Sequence, residues 1–201
     1  MPYAKTDDRV KIYYEEHGRG FPLALAYGIG GNTTMWEPNI KALGASYRLI
    51  LWDPRGHGRS DSPADPARYS FRRWALDLRD LLDHLGIRKA FVGGLSMGGG
   101  IATRFTLLSP KRVAALIVTN SASASGLPLS VENLVMRAKS IEITLTKGMD
   151  AMAEFAMTAN LNVTARLQLD PNAKDELYAM YRALTPVGYA NALRALIAMD
   201  Y

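Results

Sequence analysis

A serine lies between two glycines in the segment Gly94-Leu95-Ser96-Met97-Gly98, between a short apolar run and a helical pattern. This G-x-S-x-G spacing is typical of a nucleophilic serine held in a sharp turn from a strand into a helix. Neighbouring backbone passes close to such a turn, so Gly94 and Gly98 meet the need for positions without a bulky side chain. The following helix presents its first backbone N–H, that of Met97, to a developing oxyanion. The segment therefore predicts acyl-transfer chemistry at Ser96.

A serine hydroxyl needs a base to take its proton and a third group to orient that base. Where the serine follows a strand in this way, the usual chain order is serine, then an acid, then a histidine. The three histidines, His17, His57 and His84, all precede Ser96. We expect His17 beside a turn, His57 in a loop and His84 on the polar side of a helix to be surface or structural residues. No catalytic acid or base is therefore assigned.

Strands and helices alternate along the first part of the chain. Apolar runs predict strands at Val10–Glu15, Leu23–Tyr27, Tyr47–Trp52, Lys89–Gly93 and Val113–Thr119. Helical spacing predicts one helix that begins after the N-cap Ser70 and ends at Gly86, and a second at Met97–Leu108. This alternation predicts the α/β class, with a mostly parallel, doubly wound sheet.

The pattern changes after Ser121, where a run of small residues leads into a segment that is helical throughout. Breaks are expected near 160–162, at Asp170-Pro171 and at Pro186. We therefore predict a core at 1–125 and a helical cap over a pocket at 126–201. No further strand is predicted, so Val113–Thr119 is expected at the edge of the sheet although its apolar run is typical of buried parallel strands.

Composition excludes several classes of protein. The chain has 201 residues, of which 48% are hydrophobic and 21% charged, which fits about one globular domain. No apolar run approaches the roughly 20 residues of a membrane span, and no signal-peptide pattern is present, so we expect a cytoplasmic protein without membrane contact. The net charge of +5 is dispersed, so nucleic acid is not an expected partner. The absence of cysteine excludes thiolate chemistry.

Three segments, taken in order, resemble the α/β-hydrolase family, in particular its esterase, lactonase and C–C hydrolase branch, which includes 3-oxoadipate enol-lactonase-like proteins. They are Tyr27-Gly28-Ile29-Gly30-Gly31, Asp53-Pro54-Arg55-Gly56-His57-Gly58-Arg59-Ser60 and Gly93-Gly94-Leu95-Ser96-Met97-Gly98-Gly99. The resemblance implies a second oxyanion donor at the backbone N–H of Ile29, in a turn where Tyr27 replaces the usual histidine. It also implies that Asp53, Arg55 and His57 brace a loop.

The resemblance implies hydrolysis of a small ester, lactone or similarly activated carbonyl compound through an acyl-enzyme, with no metal or cofactor. In such proteins the acid and the histidine follow the seventh and eighth strands, which this sequence lacks after its cap. We therefore expect an N-terminal portion of a longer hydrolase that is nearly inactive by itself. The oligomeric state is left open.

Three alternatives stay open at this stage. A dinucleotide-binding protein is suggested by Gly28-Ile29-Gly30 after a strand and by Asp53 at the end of the next, although Thr33 stands where the pattern requires a third glycine and Pro38 interrupts the helix. A catalytically silent member of the hydrolase fold would bind a carbonyl or carboxylate ligand at Ser96. A third alternative takes the base from His57 or from another subunit.

Overall fold

The computed structural model describes residues 2–121 and 130–198, which form a six-stranded sheet covered by helices. Its strands are β1 (Tyr3–Lys5), β2 (Lys11–His17), β3 (Phe21–Ala26), β4 (Tyr47–Trp52), β5 (Ala90–Leu95) and β6 (Val113–Thr119). Their order across the sheet is β1-β2-β4-β3-β5-β6. β2 pairs antiparallel with β1 and β4, whereas β4, β3, β5 and β6 run parallel. The predicted mostly parallel α/β sheet is confirmed. The resemblance implies six strands, and β1 is the one for which the sequence pattern gave no bounds.

Seven α-helices connect and cover the strands in the described ranges. They are α1 (Glu37–Gly44), α2 (Phe71–His84), α3 (Met97–Leu108), α4 (Val131–Ala159), α5 (Leu161–Leu169), α6 (Lys174–Arg182) and α7 (Pro186–Ala198). The predicted cap of α2 is confirmed, since the Ser70 hydroxyl accepts a hydrogen bond of 3.0 Å from the N–H of Arg73. α4 was not expected to bend, but Gly148 takes φ +84° and ψ −176° inside it. None of these helices is long and apolar enough to cross a membrane.

Side chains alternate along β3 and β4 and therefore fill two cores, one on each face of the sheet. Leu23 and Leu25 lie on one face and pack with α1. Ala24 and Ala26 lie on the other face, where α2 and α3 supply the larger side chains. The helices thus cover both faces, as a doubly wound sheet requires. This packing holds the C-terminal end of β3 against the turn that carries Ser96.

The helices after residue 130 pack around a third apolar cluster, which includes Met152, Leu177 and Tyr181. α7 joins this cluster through Leu193 and the α2–α3 core through Leu196. The prediction of helices without a further strand is confirmed for residues 130–198. The predicted boundary between core (1–125) and cap (126–201) lies outside the described residues and stays a prediction.

β6 lies at one edge of the sheet, where we expected it. Its only strand partner among the described residues is β5. Leu116, Ile117 and Val118 are 40%, 41% and 39% exposed, although their run of apolar residues is typical of a strand covered on both faces. The edge position explains the difference, because the described residues supply little cover for this strand. A long apolar edge of this kind promotes aggregation.

Candidate active site

Ser96 lies between β5 and α3 in the strained turn that its sequence predicts. Its φ of +53° and ψ of −115° fall in a region that residues with a side chain rarely adopt. The Ser96 N–H donates a hydrogen bond of 3.0 Å to the Thr119 carbonyl, and the Ser121 hydroxyl donates one of 2.6 Å to the Ser96 carbonyl. The end of β6 therefore holds both polar backbone groups of the serine.

The glycines around Ser96 permit a close approach of β3 to this turn. A Cβ at Gly94 would lie 2.4 Å from the Ala26 carbonyl oxygen, and a Cβ at Gly98 would lie 2.2 Å from the same atom. Gly28 lies on the other side, where its Cβ would be 3.2 Å from the Cβ of Ser96. Any side chain at Gly94 or Gly98 would displace backbone, so both positions require glycine.

We expect Gly98→Ala to destabilise the protein by about 1–3 kcal/mol, because the added methyl group forces the end of β3 away from α3. The matched control is Gly44→Ala at the end of α1, where a Cβ would meet its nearest atom at 3.6 Å and φ is not positive. This control should leave stability unchanged or raise it slightly, since alanine favours helix. Urea denaturation of both variants measures the effect. Equal stability of the two would show that the close approach at Gly98 is not required.

Ser96 opens into a cavity with two lobes. The outer lobe has a volume of about 520 Å³, and the inner lobe has a volume of about 140 Å³. Both are lined by Ile29, Ser96, Asn133, Arg137 and Asn160. The serine therefore faces a space between the sheet and the helices that follow residue 130.

The turn after β3 forms another wall of this cavity. The Gly31 N–H donates a hydrogen bond of 3.0 Å to the Gly28 carbonyl, which closes a turn around Ile29. Tyr27, which replaces the histidine usual in the resembled family, lines the outer lobe and packs edge-on against Trp36 at 5.7 Å. The Met97 side chain is buried in the core, whereas its backbone lies at the first position of α3.

Arg55 lies away from this cavity, in a buried ion-pair network. Its guanidinium contacts Asp77 through two hydrogen bonds of 2.7 and 2.6 Å, and Asp8 through two of 2.8 and 2.9 Å. The side chains of Arg55 and Asp77 are both 0% exposed. Hydrogen bonds from Arg55 hold the pKa of Asp8 well below its usual range. Burial raises the pKa of Asp77 to about 6 against the opposing effect of Arg55, so Asp77 is ionised at neutral pH.

Asp53 and His57 are also buried in this loop. Asp53 accepts hydrogen bonds from the N–H groups of Thr33 at 2.7 Å and Arg59 at 2.9 Å, so it joins the loop to the turn after β3. His57 Nδ1 lies 3.3 Å from the Arg55 carbonyl oxygen, and its Nε2 has no hydrogen-bond partner among the described residues. Neither residue lines either lobe of the cavity at Ser96.

The other two histidines also lie outside the cavity. His17 Nε2 is 3.2 Å from a carboxylate oxygen of Glu15, and the exposed ring of His84 packs edge-on against Tyr14. The described residues that line the two lobes include no histidine, aspartate or glutamate. The structure thus brings Ser96 and Ile29 together at one cavity and places all three histidines elsewhere.

Sequence reasoning missed the polar residues that helices α4 and α5 and their connection contribute to the cavity. They are Asn133, Arg137, Asn160 and Arg166. These residues belong to no motif, and on a helix such side chains are usually solvated surface positions. Asn120, at the end of β6 with φ +44°, was also missed. Among the described residues, no group of three or more possible metal ligands is present.

The fold agrees with what comparison with known proteins shows. The family model of the alpha/beta hydrolase fold matches residues 22–140, and the chain belongs to this family. Two curated relatives carry the name carbamate hydrolase RutD. The relative from Azorhizobium caulinodans is 40% identical over 120 residues, which are 60% of this chain and 44% of that protein. The relative from Stutzerimonas stutzeri is 30% identical over 195 residues, which are 94% of this chain and 71% of that protein.

Solved structures show the same fold over nearly the whole chain. A structure from a study of carboxylesterases of Nitrososphaera gargenis is 30% identical in sequence to this chain and superposes with a TM-score of 0.86. The match covers 99% of this chain and 73% of the chain in that structure. The structure of the enol-lactonase from Burkholderia xenovorans LB400 is 24% identical in sequence and superposes with a TM-score of 0.83. This match covers 98% of the present chain and 74% of the lactonase chain. Because the chain belongs to the hydrolase family, the alternative of a dinucleotide-binding protein is rejected.

Proposed function

We propose that Ser96 is the nucleophile of a serine hydrolase that acts on esters, lactones or similarly activated carbonyl compounds. The observation that carries this proposal is a serine with positive φ, at a turn from strand to helix, that faces a cavity. Strained backbone of this kind persists where the surrounding structure fixes it and is common at active sites. The names of the relatives, which include a carbamate hydrolase, carboxylesterases and an enol-lactonase, support attack on a carbonyl carbon.

In this reaction the Ser96 oxygen attacks the carbonyl carbon, and the negative charge passes to the carbonyl oxygen. The backbone N–H groups of Ile29 and Met97 are the proposed donors to that oxygen. Ile29 lines both lobes, and Met97 begins the helix that follows Ser96. Two such donors in a site shielded from water stabilise the tetrahedral intermediate, and each is worth about 3–4 kcal/mol. Because both are main-chain groups, Tyr27 does not remove either of them.

When this intermediate collapses, the bond between the carbonyl carbon and the alkoxy oxygen breaks, the alkoxy oxygen is protonated to the alcohol, and an acyl-enzyme remains. Water then hydrolyses the acyl-enzyme to the free acid and restores the Ser96 hydroxyl. Both steps need a base, and no described side chain that lines the cavity supplies one. We therefore propose that residues 1–201 by themselves react slowly at Ser96. We also propose structural roles for Gly28, Gly94 and Gly98, and loop-bracing roles for Asp53, Arg55 and His57. The buried contacts of these last three residues support such roles.

A catalytically silent, ligand-binding member of the family is the second candidate, because the cavity lining lacks a base. Reaction with a fluorophosphonate in the presence of imidazole separates the two, since imidazole is small enough to enter the cavity and act as the base. For the hydrolase we expect one phosphonyl group per chain, located at Ser96 by peptide mass spectrometry. The Ser96→Ala variant should stay unmodified.

The control variant is Ser46→Ala, which removes an exposed serine outside the cavity and should keep the full modification. Modification of several serines at similar rates, or none at Ser96 with imidazole present, would reject a nucleophilic role for Ser96. The silent alternative would then be retained.

A further inference from the structure

We propose that the inner lobe of the cavity binds the acyl group of the substrate, and that Met152 and Phe155 restrict this group to a short apolar chain. This inference rests on the proposed function, whose substrate class it names. Both residues line the inner lobe but not the outer lobe. They lie in the second half of α4, and neither has a role in the chemical step proposed above.

The two lobes share a polar junction, and the inner lobe adds an apolar wall to it. The residues that line both lobes, with Ser96 among them, are polar except Ile29. Those that line the inner lobe alone are apolar except Ser140 and Tyr189. Met152 is only 2% exposed and belongs to the apolar cluster of the helices after residue 130. A group that extends from the serine into the inner lobe therefore meets mostly apolar side chains.

The two polar side chains of this wall already have partners. The Ser140 hydroxyl donates a hydrogen bond of 2.9 Å to the Met136 carbonyl within α4. The Tyr189 hydroxyl is hydrogen-bonded to Tyr181, and burial raises the pKa of Tyr189 well above its ordinary value, so this hydroxyl stays neutral. A polar group that loses its water without a new partner is penalised, whereas an apolar group gains from the transfer. The inner lobe therefore favours a hydrocarbon chain.

The bend at Gly148 brings two parts of α4 to this one lobe. Met136 and Phe155 would lie about 28 Å apart along a straight helix. A lobe of 140 Å³ spans only a fraction of that distance, yet both residues line it. Gly148 has φ +84° and ψ −176°, a combination that essentially only glycine adopts. The backbone thus places Met152 and Phe155 at the lobe.

The sizes of the lobes assign the acyl group to the inner one. The alcohol must leave while the acyl group is still bonded to Ser96, so the alcohol needs the route to solvent. The outer lobe, of about 520 Å³, provides it, since its lining includes the partly exposed Arg166. The inner lobe of 140 Å³ holds about five groups of the size of a water molecule. We therefore expect acyl chains of up to about five carbons.

Binding of phenyl acetate, phenyl pentanoate and phenyl heptanoate to the Ser96→Ala chain tests this size limit. The phenoxy group is too large for the inner lobe, so the acyl chain is the part that enters it. Burial of each methylene strengthens binding by up to about fourfold. We expect the pentanoate to bind at least about tenfold more tightly than the acetate, and the heptanoate to bind more weakly than the pentanoate. Ligand-observed NMR titration measures all three affinities.

Met152→Ala removes three non-hydrogen atoms from the wall and should make the heptanoate the tightest ligand of the three. The matched control is Met180→Ala, which shortens a methionine that lines the outer lobe but not the inner lobe. This control should keep the pentanoate as the tightest ligand. Thermal denaturation checks that each variant is folded. If Met152→Ala does not fold, Phe155→Ala replaces it, since Phe155 is only partly buried.

Three results would overturn the proposal. They are affinity that rises steadily from the acetate to the heptanoate in the Ser96→Ala chain, undetectable binding of all three esters, and the same order of affinities in the enlarged variant as in the control. Because these measurements do not use the serine hydroxyl, their failure is distinct from failure of the fluorophosphonate reaction.

Discussion

Asp77→Ala is expected to lower the free energy of unfolding by about 3–5 kcal/mol. Asp77 and Arg55 are both fully buried and share two hydrogen bonds. Removal of the carboxylate leaves the guanidinium with the Asp8 carboxylate and the Arg68 carbonyl oxygen as its partners among the described residues. An arginine stays protonated in a protein, and a buried charge without enough partners is strongly destabilising. The measurement is urea denaturation at neutral pH, where Asp77 is ionised.

The matched control is Asp150→Ala in α4. Asp150 also accepts a hydrogen bond from an arginine, Arg182, at 2.5 Å, but these side chains are 67% and 61% exposed. Exposed pairs contribute about 0–1 kcal/mol, so this variant should be nearly as stable as the parent chain. A loss of less than about 1 kcal/mol in Asp77→Ala would contradict the view that the Arg55 network supports the loop.

The second large effect is a dependence of stability on pH that comes from His57. Burial lowers the pKa of His57 from 6.5 to about 4, so the fold favours the neutral ring. The unfolded chain takes up a proton near pH 6.5, whereas the folded chain does so only near pH 4. The stability from His57 is therefore fully present above pH 6.5 and is lost as the pH falls to about 4. This loss amounts to about 3 kcal/mol.

His57→Gln isolates this contribution, because glutamine keeps a donor and an acceptor but does not titrate. Asp53 and Asp77 titrate in the same window with the opposite sign, since burial raises the pKa of each carboxyl to about 6 and the fold favours the neutral carboxyl group. The quantity to compare is therefore the change in unfolding free energy between pH 7 and pH 4 in the parent chain and in His57→Gln. Parallel curves for the two proteins would show that His57 is not responsible.

The core of the fold was predictable because local patterns and tertiary packing agree there. The helix Met97–Leu108 and the strands Tyr47–Trp52 and Val113–Thr119 have the bounds that the sequence predicts. Each is a run of apolar residues ended by a turn residue or a change of spacing, so no distant contact is needed to define it. The strained turn at Ser96 was also predictable from local sequence, since the close approach of β3 requires glycine at positions 94 and 98.

Other features of the structure depend on contacts between residues far apart in the sequence, which a local sequence pattern does not show. β1 has three residues, too few for a periodic signal, and forms because it pairs with β2. The bend at Gly148 was missed because apolar spacing continues through it. Arg137 and Asn160 reach Ser96 only after the chain folds back across the sheet, so their place in the cavity could not be read from the sequence.

The two-sided packing of α7 has a consequence for how a substrate enters. Leu196 belongs to the core that α2 and α3 share with the sheet, and Leu193 belongs to the apolar cluster of the helices after residue 130. Asn191 donates a hydrogen bond of 3.0 Å to the Ala64 carbonyl. A rigid-body rotation of α4 to α7 away from the sheet would break these contacts of α7 together. We therefore expect the cavity at Ser96 to open by local movements rather than by a rigid-body rotation, and we expect the two layers to melt in one cooperative transition.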